Sequence, residues 1–213
     1  MRLYLVRHGQ TASNVARLLD TAFPGAGLDE VGRRQADALV GRLDGRPIGA
    51  IYASDLVRTQ QTAAPLASDR ELDVVVLGGL REIQAGDDEM SPDWQRYVEV
   101  LQSWRETPTN RVPNGEDAPA FYSRFDAAVA EIAGAGHGAA LLVSHGAALR
   151  MWIMARVASL DLHDVVDRRL DNTTIVTLDG DPDAGWTFVA WDEPAPIAPA
   201  DADVAAPGPK RVG

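Results

Sequence analysis

With 213 residues, 46% hydrophobic and 24% charged, the chain holds enough apolar material for one α/β domain with a sizeable core and too little for a second. Its net charge of -11 argues against a nonspecific nucleic-acid or anionic-membrane surface, because the summed field repels polyanions. The absence of cysteine rules out disulfides, thiol catalysis and thiolate metal sites.

In chain order, Arg2 to Val6 reads as a short buried strand that breaks at Arg7-His8-Gly9. No apolar stretch behind it has the length of a signal-peptide core or a membrane span, so a cytoplasmic location is expected. Asp29 to Leu43 places Val31, Ala36, Leu39, Val40 and Leu43 at helical spacing and leaves Arg33, Arg34 and Asp37 for solvent. Ile48 to Ala53 predicts a second strand, Asp55 to Ala67 a helix stopped near Pro65, and Leu72 to Leu77 a third strand rich in β-branched residues. An insertion around 83–115 follows as a candidate lid, helical across Trp94 to Trp104 and looped over Pro108 to Gly115. Pro119 to Ala133 predicts a long helix. Ala139 to Val143 is a fully apolar strand ending in Ser144-His145-Gly146, with a helix from Ala147 to Val157. Thr173 to Leu178 and Thr187 to Trp191, split by a Gly-Asp-Pro-Asp turn, predict a closing hairpin. The expected catalytic domain is 1–193; the Ala/Pro-rich tail 194–213 is expected to be disordered.

Strands alternating with helices predict a three-layer α/β/α sandwich with a mostly parallel central sheet. Ligands of such sheets bind beyond the carboxyl ends of the strands. His8 and His145 each follow a predicted strand, so they converge if those strands are parallel neighbours.

Nineteen of the twenty basic residues are arginine, with Lys210 the exception, so a grip on a small anionic group must come from guanidinium, backbone amide or imidazole. Arg7-His8-Gly9-Gln10-Thr11, followed by Asn14, gathers a nucleophile, a cation, a glycine and three hydrogen-bonding side chains at one strand end. A neutral imidazole nitrogen can attack phosphorus, and adjacent arginines disfavour imidazolium. Alone, the Arg-His-Gly tripeptide fits a surface turn equally well. Arg58 after the second strand, Glu82 after the third and His145 after the fourth add a cation, a carboxylate and a second imidazole.

Taken together and in this order, Arg7-His8-Gly9, Ser54-Asp55-Leu56-x-Arg58-Thr59, Leu80-Arg81-Glu82 and Ser144-His145-Gly146 resemble the histidine phosphatase superfamily, also called phosphoglycerate-mutase-like. The resemblance runs from residue 2 to about 178. It implies the phosphoglycerate mutase-like fold, with His8 accepting a phosphoryl group, Arg7, Arg58 and His145 holding its oxygens and Glu82 donating a proton. It makes Asn14 a further phosphate contact, with Gln10 and Thr11 lining the loop. Phosphoryl transfer spreads charge over three equatorial oxygens, which a fixed ring of arginine and imidazole donors stabilises. No cofactor is implied, and no metal either, since arginines supply the charge and His8, His137, His145 and His163 show no ligand spacing.

Glycolytic mutases of this family carry Arg-His-Tyr just after the glutamate and an arginine pair further on. Here Ile83-Gln84-Ala85-Gly86 stands in that place, and only scattered Arg96, Arg105, Arg111 and Arg124 lie between Glu82 and His145. The expected activity is therefore hydrolysis of a small phosphorylated substrate. The alternatives are a cofactor-dependent phosphoglycerate mutase and a non-catalytic phospholigand-binding protein. Asp87-Asp88-Glu89 stands at the expected pocket lip, where three acids would select against highly phosphorylated substrates, select a sugar or a cationic group, or form a solvated loop. Trp94, Tyr97, Trp104, Phe121 and Tyr122 fit a pocket wall and helical core equally. His137, His163 and Asn172 read as structural or turn residues, with a bond from Asn172 to the His145 loop as its functional reading. A homodimer is compatible with the sequence, which isolates no apolar seam for it.

Overall fold

The computed structural model describes residues 1–160, 165 and 168–195; His163 and the tail from 196 onward lie outside the described residues. Six strands among the described residues, β1 (Arg2–Arg7), β2 (Ala50–Ala53), β3 (Val74–Val76), β4 (Ala139–Ser144), β5 (Ile175–Asp181) and β6 (Gly185–Asp192), form one sheet in the order β3-β2-β4-β1-β5-β6. The pairs β1 with β4, β2 with β4 and β2 with β3 are parallel. The closing hairpin lies antiparallel along β1.

Alternation along the strands explains the layers, because successive side chains point to opposite faces. Tyr4, Val6, Ile51, Leu141 and Val143 face one way, where Leu39 of α2 (Glu30–Arg42), Leu43 at its C-cap, and Ala63 and Leu66 of α3 (Val57–Arg70) cover them. Leu3, Leu5, Tyr52, Ala140 and Leu142 face the other, under Phe121, Phe125, Val129, Leu149 and Trp152 of α5 (Ala118–Gly134) and α6 (Gly146–Arg156). Two smaller helices, α1 (Ala12–Val15) and α4 (Gln95–Ser103), flank the carboxyl edge and the insertion. Among the described residues no helix is long and apolar enough to cross a membrane.

Proline does not stop α3 as expected: Pro65 lies inside the helix, which continues to Arg70. Pro65 leaves the Gln61 carbonyl without its helical donor, but Gln61 is exposed and water can replace it, while Ala63, Leu66 and Ala67 stay anchored in the core.

Candidate active site

Parallel pairing sets the site. Arg7 stands opposite Ser144 in the β1/β4 register, so His8 and His145 leave adjacent strands at one level, and their ring centroids are 5.2 Å apart. The next strand over, β2, pairs Ala53 with Val143 and delivers Ser54 and then Arg58 to the same edge. Because β5 runs antiparallel to β1, its beginning lies at this edge too. Asn172, just before it, donates to the His8 carbonyl at 2.8 Å and to Asn14 Oδ1 at 3.1 Å. Asn172 thus ties down the His8 loop rather than the His145 loop.

His8 is buried, with Nδ1 2.7 Å from the Gly9 carbonyl. A carbonyl can only accept, so Nδ1 carries the proton and Nε2 keeps its lone pair, which meets the Arg58 Nε–H at 3.2 Å. Burial first, then the charges of Arg58 and Arg7, hold the imidazole pKa well below its usual value. His145 is pushed the same way, by burial first and then Arg58. Its Nε2 lies 2.8 Å from Ser54 Oγ, and its buried Nδ1 has no partner among the described residues.

The glycines of both His-Gly pairs lie in close approach to a neighbour, backbone for the first and side chain for the second. A Cβ on Gly9 would stand 2.7 Å from the Gly32 carbonyl oxygen, and one on Gly32 only 2.1 Å from that of Gln10, so the His8 loop lies directly on the backbone of α2. A Cβ on Gly146 would press on the Arg7 guanidinium, 3.2 Å from Nε. Arg7 holds the Leu170 carbonyl through Nη1 at 2.7 Å, and its buried Nε has no partner among the described residues. Arg58 is held by Asp20, through the carbonyl at 2.8 Å and an ion pair at 3.5 Å. Burial pulls both guanidinium values down, yet arginine stays charged.

Glu82 sits at the N-terminus of α6. Its Oε1 accepts the N–H of Ala148 at 2.7 Å and of Ile83 at 2.9 Å, and its Oε2 accepts that of Ala147 at 3.0 Å. Helix N-termini favour a carboxylate there. Arg124 braces the same loop, donating to the carbonyls of Gly79, Arg81 and Glu82 while paired with Glu116.

Arg7, His8, Thr11, Asn14, Arg58 and Glu82 line a single cavity of about 990 Å³, together with Asp20, Trp94, Tyr97, Trp104 and Tyr122. Thr11 caps α1 and accepts the Asn14 N–H, while Asn14 Oδ1 accepts the Thr11 N–H, leaving the Asn14 amide NH₂ as a donor. Gln10 is not brought in. Its amide reaches Asp29 at 3.0 Å, because the backbone contact with α2 turns the side chain toward that helix's N-cap. Phe121 is core rather than wall. His137 precedes β4, at the opposite end of the sheet from the site. The acids at the lip are engaged within the protein: Asp87 by Asn114, Asp88 by Arg96, Glu89 by Thr21 and the Ala22 amide. None of the three lines the cavity.

Sequence reasoning missed Asp20, Gly32, Thr62, which accepts the Gly9 N–H at 2.9 Å, and the bracing role of Arg124. Only Gly32 carried a signal, since a glycine inside a helix costs about 1 kcal/mol relative to alanine and needs a reason.

The sequence model of the histidine phosphatase superfamily, branch 1, matches residues 3–194. A Mycobacterium tuberculosis (strain ATCC 25618 / H37Rv) relative, "PE-PGRS family protein PE_PGRS11", is 34% identical over 92% of this chain, which spans 37% of that relative's length. A Proteus mirabilis (strain HI4320) relative, "Probable phosphoglycerate mutase GpmB", is 35% identical over 84% of this chain and 85% of its own. Among solved structures, a mycobacterial glucosyl-3-phosphoglycerate phosphatase in complex with VO3 superposes with a TM-score of 0.75 and 28% identity, covering 90% of this chain and 98% of that one.

Proposed function

We propose that this chain, which belongs to the histidine phosphatase superfamily, branch 1, hydrolyses a phosphomonoester through a phosphoryl group carried on His8. The observation that carries the reading is the state of His8: Nδ1–H committed to the Gly9 carbonyl, and the Nε2 lone pair beside Arg58 in a cavity it shares with Arg7 and Glu82. An imidazole so fixed is an unprotonated, oriented nucleophile.

In this mechanism the phosphoryl group enters against Nε2 and takes over the Arg58 contact. Arg58, the Nε of Arg7 and the Asn14 amide donate to its oxygens. Thr59 gives its own hydrogen to the carbonyl of Ser54 or Leu56, so Ser54 is the donor in the 2.9 Å contact between the two hydroxyls. Ser54 Oγ then accepts from His145 Nε2–H, and His145 Nδ1 becomes a further donor beside His8 when the phosphoryl group brings a second proton to the ring. Glu82 Oε1 has both lone pairs engaged, whereas Oε2 accepts one N–H and keeps one site free. Oε2 therefore carries the proton to the leaving alkoxide and afterwards takes one from the water that attacks phosphohistidine. The domain that does this is 1–193.

A second reading, phosphoglycerate mutase, is favoured by the name of the Proteus mirabilis relative. Against it, Arg96, Arg111 and Arg124 are each taken by an acid, leaving Arg105 as the member of that set that lines the cavity. Phosphate release from simple esters and isomerisation of 3-phosphoglycerate with its bisphosphate primer, measured on wild type and His8→Ala, decide between them. Release that disappears in His8→Ala, without isomerisation, is the expected result. Isomerisation faster than hydrolysis makes it a mutase, and silence in both assays indicates a phospholigand-binding protein.

A further inference from the structure

On the hydrolase reading, which this inference presupposes, we propose that the substrate is a phosphate ester of an extended apolar alcohol, an alkyl or aryl chain rather than a sugar or a glycerate. Beyond the phosphoryl end, the cavity lies between two helix faces. From α4 come Tyr97 and Leu101, with Trp104 at its C-cap; from α6 come Met151 and Met154. These positions recur at three- and four-residue spacing, so each helix turns one continuous apolar stripe to the cavity. α6 starts beside His145 and leads away from it, so Met154 lies about 12 Å along the axis from Gly146 at 1.5 Å per residue.

Aromatic side chains often bind polar ligands through their N–H or O–H. Here each such handle is engaged by a protein carbonyl. Tyr97 Oη donates to Ile83 at 2.9 Å, Trp104 Nε1 to Asn110 at 2.9 Å, Tyr122 Oη to Met151 at 3.3 Å and Trp94 Nε1 to Arg17 at 2.7 Å. Their carbon faces are what this part of the wall offers. The polar side chains on this side leave that character unchanged. Gln102 and Arg105 stand exposed at the rim, and Arg150 directs its guanidinium to the carbonyls of Val165 and Arg168. Two methionines give the wall the adaptability that suits a flexible chain.

The test is kcat/KM for phosphate release from ethyl, butyl, hexyl and octyl phosphate, with 3-phosphoglycerate as the polar comparison, on the full chain. Burial of each added methylene predicts a rise of about three- to fourfold per CH₂, and hexyl phosphate should exceed 3-phosphoglycerate. Met154→Gln, which sets an amide against the chain, should lower the octyl-to-ethyl ratio about tenfold. The ratio is read within one preparation, so loss of folded protein cannot mimic it. A series that is flat or falls with length, while His8-dependent release from ethyl phosphate persists, overturns the apolar substrate and leaves the hydrolase. An unchanged ratio in Met154→Gln also overturns it. If no ester is hydrolysed, the hydrolase reading falls and this inference with it.

Discussion

The two strand ends that carry His-Gly have nearly the same local sequence and lie side by side on parallel strands, yet they are different chemical objects. At the first, the imidazole bonds its own loop through Nδ1 and keeps Nε2 open. At the second, Nε2 is tied to Ser54 and Nδ1 is the nitrogen left over. One glycine lies on the backbone of α2, the other against a side chain. The first His-Gly leads into a four-residue helix capped by Thr11, the second into α6, whose amides hold Glu82. The difference teaches that a histidine's role is set by which nitrogen the surroundings occupy, something no neighbour in sequence specifies.

The largest effects test that division of labour. His8→Ala should abolish phosphate release, a loss of about four orders of magnitude or more. His145→Ala should cost about 10² to 10³, as for one lost transition-state donor, and should still form acid-labile phosphate on His8 in rapid-quench experiments. Equal losses, with no phosphoenzyme in His145→Ala, would erase the distinction.

The glycines sharpen it further. In Gly9→Ala the new methyl meets a carbonyl of α2 that cannot yield, so urea unfolding should show a loss of about 2–3 kcal/mol. In Gly146→Ala it meets the Arg7 side chain, which can shift. There the stability loss should be about 1 kcal/mol or less and KM should rise instead. The reverse ranking would mean that the first loop is the softer one.

Protonation gives a smaller and shared effect. Both imidazoles have depressed values in the folded chain, so above about pH 6.5 they are neutral in folded and unfolded states alike. As pH falls below that point the unfolded chain takes up protons that the folded one refuses, and stability declines until the folded values are reached. Each histidine contributes a slope of at most about 1.4 kcal/mol per pH unit. Urea midpoints between pH 7.5 and 5 should therefore fall less steeply in His8→Ala than in wild type; identical slopes would contradict the burial argument. The smallest effect is expected from Ser54→Ala, about fivefold in kcat/KM, because the His145 ring is left in place with its tautomer no longer set. If that variant behaves as wild type, Ser54 is only a packing residue.

Much of the fold was legible because it rests on local patterns. The all-apolar run Ala139 to Val143 announces a strand buried on both faces, and Asp29 before the periodic stretch announces the start of α2. Pro65 misled because propensity for one residue yields to the burial of Ala63, Leu66 and Ala67 around it. In the site, residues flanking strand ends could be found from sequence, since each follows an apolar run. Gln10 shows the limit: it stands within the motif, yet its side chain bonds Asp29 outside the cavity. Asp20, Thr62 and Arg124 are invisible for the complementary reason, being ordinary polar residues distant in sequence from the atoms they hold.

By itself, the sequence determined the layered α/β architecture and the residues available at each strand end, because hydrophobic periodicity and strand termination are properties of short segments. Tertiary structure alone decided that β1 and β4 are neighbours, that β5 returns Asn172 to the same edge, and that the lip acids bond within the protein. It also decided which imidazole nitrogen stays open and that the aromatic wall turns carbon to the cavity. Those outcomes depend on distances between residues far apart in the chain, and hydrogen bonds are sensitive to a fraction of an ångström.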